Sequence, residues 1–237
     1  SLRLSPRCID VFARILAATN GARIRFLGLL SSDWTLQNQI LAAMTRHGVA
    51  KGRIAFDPPR SYEELLKWCQ RIDMVLDTFP GNGGLSLLEP LWMGVPVLTL
   101  SGDWAGARQG RSVLMALNCP QLVANSEDEY VHIATTLGQD LHSLQDLRSQ
   151  LRDRMLASPL VDGRRVARQI EDAVIAQLPR CRDLPTGDTK ARIRAQARWS
   201  LAAWMAKNAR LVLPTTPSGE TPDFSVIVVL YNQAGLT

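Results

Sequence analysis

A glycine-rich stretch between two apolar runs is the first place in this sequence where chemistry could occur. Residues 79–100 read FPGNGGLSLLEPLWMGVPVLTL, and Asn82-Gly83-Gly84 follows the strand-like run MVLDTF. Glycine lacks a Cβ and tolerates positive φ, so a phosphate could reach the backbone amides of such a loop. In an open parallel sheet, ligands bind where strand ends meet helix N-termini, because the unpaired amides and the helix dipole favour anions there. The stretch is therefore a phosphate-binding loop or a plain turn.

A carboxylate, Glu89, lies about one turn beyond these glycines. It could accept hydrogen bonds from the two hydroxyls of a ribose whose phosphates occupy the helix N-terminus. Ser86-x-x-Glu89 also has the spacing of a capping box, which would satisfy two amide donors without any ligand. Pro90 is compatible with both interpretations if the helix starts just before it. The sequence leaves both open.

Two further polar residues follow strand-like runs. Asp77 could accept hydrogen bonds from the loop amides, and we expect it to stabilise the loop rather than act as a catalytic base. Arg108, in SGDWAGARQGR, could reach a phosphate or a sugar, or form a surface salt bridge. Trp68 and Trp92 are expected to be core aromatics.

Composition limits the classes of protein to consider. The 237 residues are 46% hydrophobic, and no apolar run is long enough to span a bilayer. The start lacks an initiator Met and signal-peptide order, so we interpret the chain as an internal fragment of a cytoplasmic protein. The net charge of +5 is concentrated in residues 190–210, so it says little about the main domain, and we expect no nucleic-acid partner. The cysteines lack CxxC spacing and the histidines lack metal-ligand spacing, so we expect no metal site and reduced thiols, with Cys69 and Cys119 buried.

Apolar runs and helical periodicities alternate along the chain. Five strand-then-helix units between residues 22 and 140, followed by two helices, predict an α/β fold with a Rossmann-like parallel sheet and helices on both faces. We expect this domain to span 1–180 and to fold alone. A linker with a basic helix would span 181–221, and a new domain would begin with a strand in 222–237.

Four motifs in order, IDMVLDTFPGNGG, EPLWMGVPVLTLSGD, EYVHIATTLGQDLHSLQDLRSQLRDRM and SPLVDGRRVARQIEDA, closely resemble the C-terminal catalytic lobe of the O-linked N-acetylglucosamine transferase family. The resemblance covers roughly residues 1–178 and implies the donor-binding half of a GT-B fold. It implies that the glycine loop and the following hydroxyl residues hold a UDP diphosphate, that Glu89 binds ribose and that Arg3 contacts the phosphates. The implied nucleotide-sugar residues are Arg3, Asn82, Gly83, Gly84, Leu85, Ser86, Glu89 and Arg108.

Three positions depart from the family pattern. Leu85 and Ser86 stand where the family usually has consecutive threonines, Leu65 replaces a histidine that packs on the uracil, and Arg3 replaces a lysine. These departures predict altered donor binding. The tail PDFSVIVVLYNQAG resembles the first strand of family 2 GT-A glycosyltransferases, and together the two resemblances imply a bacterial protein with tandem glycosyltransferase modules.

The resemblance implies transfer of a sugar, by analogy N-acetylglucosamine, from UDP to a protein or peptide Ser/Thr, with the UDP-sugar as donor substrate and no cofactor or metal. The parent chain would supply a facing N-terminal GT-B lobe and tetratricopeptide repeats. The alternative is a non-catalytic scaffold lobe whose parent does its chemistry in the following GT-A module.

Overall fold

The computed structural model describes residues 4–28, 33–58, 61–177 and 225–229. Helices and parallel strands alternate along the chain, as the sequence predicts. The helices are α1 Pro6–Ala18, α2 Trp34–Arg46, α3 Tyr62–Cys69, α4 Leu85–Trp92, α5 Gln109–Ala116, α6 Glu127–Gln139, α7 Leu141–Ala157 and α8 Gly163–Gln177. The strands are β1 Arg23–Leu27, β2 Ile54–Asp57, β3 Met74–Leu76, β4 Val97–Leu100, β5 Val123–Ala124 and β6 Ser225–Val229.

Among the α-helices and strands described before residue 177, α1 is the one that the sequence does not predict above. Ser5 caps it by accepting a hydrogen bond from the Cys8 amide, and Pro6 occupies its first position. Both are helix-start signals. The Ser5 hydroxyl also donates to the carbonyl oxygen of Phe79 at 3.1 Å. This bond ties the start of the helix to the loop that follows β3.

The described strands form one parallel sheet in the order β2-β1-β6-β3-β4-β5. Because all its pairings are parallel, the carboxyl ends of the strands lie along the same edge. The loops that precede α2, α3, α4 and α5 therefore all emerge at that edge. This is where ligands bind in open α/β sheets.

Strand β6 lies in the middle of this sheet. Its five residues pair with β1 in the register Arg23 to Ser225 through Leu27 to Val229, and it also pairs with β3. Residues 225–229 thus join strands that are distant in sequence. The predicted start of a second glycosyltransferase domain at residue 222 stays a prediction, because the rest of that tail lies outside the described residues.

Helices cover both faces of the sheet, as predicted. One core cluster, which includes Phe12, Phe26 and Tyr130, packs α1, α2 and α6 on one face. The second, which includes Trp68 and Leu151, packs α3, α4, α5 and α7 on the other. The core placement of Trp68 is confirmed, and Trp92 is half-buried against the second cluster with the Arg152 guanidinium 5.1 Å from its ring centroid. Cys8, Cys69 and Cys119 are buried free thiols.

The chain divides into two compact units. The first combines Ser1–Asp162 with Pro222–Thr237, and the second is Gly163–Thr221. Helix α8 therefore groups with the second unit, whereas the sequence placed it in the first domain. The predicted basic helix lies outside the described residues. Within the described part of the chain, no helix has the length and apolar character needed to cross a membrane.

Candidate functional site

The glycine loop connects the end of β3 to the start of α4, and Asp77 holds it in place. The Asp77 carboxylate accepts a hydrogen bond from the Gly83 amide at 2.8 Å and another from the Thr99 hydroxyl at 2.7 Å. The hydroxyl of Tyr130, itself fully buried, lies 3.0 Å from the Asp77 carbonyl oxygen. The prediction that Asp77 stabilises the loop is confirmed.

Asn82 points into the protein rather than toward a ligand. Its amide nitrogen donates to the carbonyl oxygens of Thr78 and Leu100, at 3.2 and 3.3 Å, and its side-chain oxygen accepts from the Gly110 amide at 3.4 Å. The residue is 3% exposed, and its backbone amide donates to the Gly106 carbonyl oxygen at 2.9 Å. Asn82 therefore positions the loop, and the expectation of direct ligand contact by its side chain finds no support in this geometry.

The two loop glycines are required for close packing rather than for their backbone angles. The positive-φ glycines of the described chain are Gly21, Gly28, Gly48 and Gly94, so the expectation that the loop exploits positive φ is wrong. A Cβ at position 83 would instead lie 2.8 Å from both the Ser86 hydroxyl oxygen and a Leu87 methyl carbon, and one at position 84 would lie 3.1 Å from the Gln109 side-chain oxygen. The Gly83 amide is used by Asp77. The amides that remain for a ligand lie further along, in the first turn of α4.

Among the residues that the structure describes, no side chain caps the N-terminus of α4. The helix starts at Leu85 with Gly84 as its N-cap, so Ser86 is its second residue and cannot serve as the cap of a Ser86-Glu89 capping box. The first amides of a helix have no intrahelical acceptor. With no described side chain as a cap, the amides of Leu85 and Ser86 lie at the open end of the helix, at the edge where the carboxyl ends of the strands lie. The capping interpretation of Glu89 is therefore excluded.

Glu89 is a half-buried carboxylate on the second turn of α4. Burial raises its pKa to about 7 from the ordinary 4.5, and among the described residues no side chain or amide donates a hydrogen bond to it. Its neighbours on α3 are Tyr62 and Cys69. Burial is the main cause that raises the pKa of both residues, and the Glu89 carboxylate is the second. The pKa of Cys69 is raised to about 12. A carboxylate held in this way can accept hydrogen bonds that none of the described residues donates.

This raised pKa predicts a pH-dependent cost in stability. A carboxyl whose pKa is higher in the folded than in the unfolded chain stabilises the fold below pH 4.5, and that contribution is lost as the pH rises through 7. Glu89→Gln, which cannot ionise, should therefore match the wild type at pH 4 and be more stable by roughly 1 kcal/mol at pH 8, allowing for partial exposure. Melting temperatures of both proteins at the two pH values test this. A constant difference across the range would contradict it.

The family profile described as Glycosyl transferase family 41 matches residues 2–170. The chain belongs to glycosyltransferase family 41. The lobe resemblance found in the sequence is thereby confirmed at the level of the family, whereas the predicted GT-A segment lies outside the matched residues and stays a prediction.

Several proteins similar to this family 41 chain are named for a glycosyltransferase activity. A probable UDP-N-acetylglucosamine–peptide N-acetylglucosaminyltransferase SPINDLY of Hordeum vulgare is 31% identical over 172 residues, which are 72% of this chain and 18% of that protein. A UDP-N-acetylglucosamine–peptide N-acetylglucosaminyltransferase of Caenorhabditis elegans is 29% identical over 170 residues, 72% of this chain and 14% of that protein. The solved structure of an O-GlcNAc transferase mutant from Thermobaculum terrenum superimposes with a TM-score of 0.68 at 34% identity, over 72% of this chain and 33% of that one. The family 41 chain thus spans less than a fifth of the length of the Hordeum vulgare and Caenorhabditis elegans relatives and a third of the Thermobaculum terrenum chain.

Some of the remaining predicted site residues of the family 41 chain lie at the surface, and others are buried. Arg108 occupies the position just before α5 and is exposed, with no acidic partner among the described residues, so a salt-bridge role finds no support. Leu85 is 68% exposed at the first position of α4, whereas Ser86 is 6% exposed. Leu65 is 2% exposed and packs in the core, so it offers no surface to a nucleobase. Arg3 lies outside the described residues.

The sequence interpretation missed three residues that complete the loop's support. Thr99 on β4 and Tyr130 on α6 both donate hydrogen bonds to Asp77. Gly110 lets α5 approach Thr99 and Asp77, because a Cβ at position 110 would overlap the Thr99 hydroxyl and lie 2.8 Å from the Asp77 carboxylate. A glycine in the first turn of a helix was a visible signal for close approach. Nothing in the local sequence of Tyr130 could have indicated its partner 53 residues away.

Proposed function

We propose that this chain is the donor-binding lobe of a glycosyltransferase that binds a UDP-sugar, UDP-N-acetylglucosamine, for transfer to Ser or Thr of a protein. The observation that carries the proposal is the N-terminus of α4, which no described side chain caps, with the half-buried carboxylate of Glu89 one turn away, which has no hydrogen-bond donor among the described residues. The activities for which the family 41 relatives are named support the choice of donor and acceptor.

Each part of the donor has a proposed place. The diphosphate lies against the free amides of Leu85 and Ser86, where the helix dipole favours negative charge, and Arg108 and Arg3 offset the rest of that charge in place of a metal ion. The ribose hydroxyls donate to Glu89. The acceptor peptide and the catalytic residues are proposed to lie with a facing lobe of the whole protein, because the described residues near the loop serve to hold and position it.

Replacing Glu89 tests the ribose contact. Glu89→Gln keeps the shape of the side chain but removes the charge, so UDP affinity measured by calorimetry at pH 8 should fall by about 1.5–3 kcal/mol, the worth of a charged hydrogen bond. Glu63→Gln is the matched control, because Glu63 is an exposed glutamate on α3 that pairs with Lys67. That change should leave UDP affinity alone.

The pH adds an independent signature. Since the ionised carboxylate is the better acceptor, UDP-N-acetylglucosamine should bind more tightly to the wild type at pH 8 than at pH 6, and Glu89→Gln should lose this dependence. Unchanged affinity in Glu89→Gln, in a protein that binds UDP, would contradict the ribose assignment.

A non-catalytic scaffold is the second candidate function. The burial of Leu65 and the apolar side chain of Leu85 at the first helical position favour it, since neither provides a polar contact to a nucleotide. Failure of UDP and UDP-N-acetylglucosamine to bind at millimolar concentration would support the scaffold over the enzyme lobe.

A further inference from the structure

Trp104 is a large aromatic side chain that the fold displays at the surface. It lies in the loop after β4, just before a short 3-10 turn at Ala105–Ala107, and is 57% exposed. A Cβ at Gly106 would overlap two atoms of the six-membered ring of the indole, so the ring lies directly on the Gly106 backbone. One side of the indole is therefore held by the protein while more than half of the residue remains open to solvent.

The same backbone connects the indole to the glycine loop. The Gly106 carbonyl oxygen accepts a hydrogen bond from the Asn82 amide at 2.9 Å, and the Asn82 side chain donates to the Leu100 carbonyl oxygen at the end of β4. The turn is closed by the Ala107 amide, which donates to the Trp104 carbonyl oxygen at 3.0 Å. The indole is thus fixed relative to the residue that immediately precedes Gly83-Gly84.

The direction of the bound donor follows from the order of the sheet. Glu89 faces α3, which follows β2, whereas Trp104 follows β4 on the other side of β3. If the diphosphate lies at the start of α4 and the ribose on Glu89, the nucleoside extends toward α3. The sugar, which is attached to the other end of the diphosphate, then extends toward the loop that carries Trp104.

We propose that the indole of Trp104 is the stacking platform for the hexose of the nucleotide sugar. The inference rests on the proposed function and adds the sugar subsite to it. The C–H face of a pyranose ring is apolar and packs on an aromatic face, while its hydroxyls need donors and acceptors nearby. Arg108 is exposed four residues further on and can donate to them. Because Gly106 already fixes the indole, little side-chain entropy is lost on binding.

Comparing UDP with UDP-N-acetylglucosamine isolates this contact. In Trp104→Ala, affinity for UDP-N-acetylglucosamine should fall about 5- to 10-fold, while affinity for UDP should stay within about twofold, because only the sugar meets the indole. In saturation-transfer NMR of UDP-N-acetylglucosamine with Trp104→Ala, the signals of the pyranose should weaken while those of the uracil are retained. Trp34→Ala is the matched control. Trp34 is 75% exposed at the start of α2. Helix α2 follows β1, and β1 lies three strand positions from β4 in the sheet. Replacing Trp34 should therefore change neither affinity.

Gly106→Ala tests the platform without removing the tryptophan. The added methyl group displaces the indole, so the same selective loss for UDP-N-acetylglucosamine is expected, with an unchanged melting temperature confirming the fold. Equal losses for both ligands in Trp104→Ala, or no loss for either, would overturn the assignment of the sugar to Trp104 and leave the proposed function intact. A wild type that binds neither ligand would overturn the proposed function, and the sugar subsite with it.

Discussion

A chain that ends at residue 221 is expected to lose the cooperative unfolding transition of the full chain. Removing β6 leaves the facing edges of β1 and β3 without partners, and no strand pairing then joins β2 and β1 to β3, β4 and β5. Each buried backbone group left unpaired costs about 1–3 kcal/mol. Several such groups together match the whole stability of a domain, about 5–15 kcal/mol.

Thermal unfolding followed by circular dichroism, together with binding of a hydrophobic dye, measures this loss. A chain that ends at residue 229 is the control, because it keeps β6 and removes only the residues beyond it. Ile227→Pro tests the same strand by a point change, since proline cannot donate to the sheet. A chain ending at 221 that melts like the full chain would show that the sheet is complete without β6, and would support the predicted domain boundary at residue 222.

Asp77→Ala is expected to destabilise the protein by about 2–6 kcal/mol. The change leaves the Gly83 amide and the Thr99 hydroxyl buried without an acceptor, and each such donor costs about 1–3 kcal/mol. Asp77→Asn should cost only about 1 kcal/mol, because its oxygen can still accept from the Gly83 amide while its amide group donates to the Thr99 oxygen.

Urea denaturation at pH 7 measures both values, and equal slopes for the three proteins would show that the same surface is exposed in each. Equal destabilisation by Ala and Asn would mean that the negative charge, rather than the accepting geometry, stabilises the loop. The Ala variant should also lose UDP affinity, because the glycine loop that leads into α4 is no longer fixed.

The sequence predicted what depends on local pattern. Alternating apolar runs and helical periodicity gave five strand-helix units, all of which the structure contains, and a carboxylate at a strand end before glycine amides correctly indicated the role of Asp77. Helix α1 also carried its signals, Ser5-Pro6 followed by apolar residues at helical spacing, although the interpretation did not use them.

What the sequence did not reveal depends on contacts between distant segments. Asn82 looked like a loop residue open to a ligand, but Leu100 and Gly110, from β4 and α5, bind its side chain and turn it inward. The Ser86-x-x-Glu89 spacing matched a capping box, yet the helix begins at Leu85 and shifts both residues out of the required positions. A shift of two residues in a helix start is beyond the resolution of a spacing rule.

Strand β6 also determines when the sheet can be completed during folding. Its partners in β1 lie about 200 residues earlier in the chain, as in the pair Ile24 and Val226, whereas β3 and β4 are close neighbours in sequence. Contacts of such long range slow folding, because the closure of a long loop must precede them. On a ribosome, β1 and β3 emerge long before β6 and expose open strand edges in the meantime. Those edges can pair with another nascent copy, so we expect refolding yields that fall as protein concentration rises.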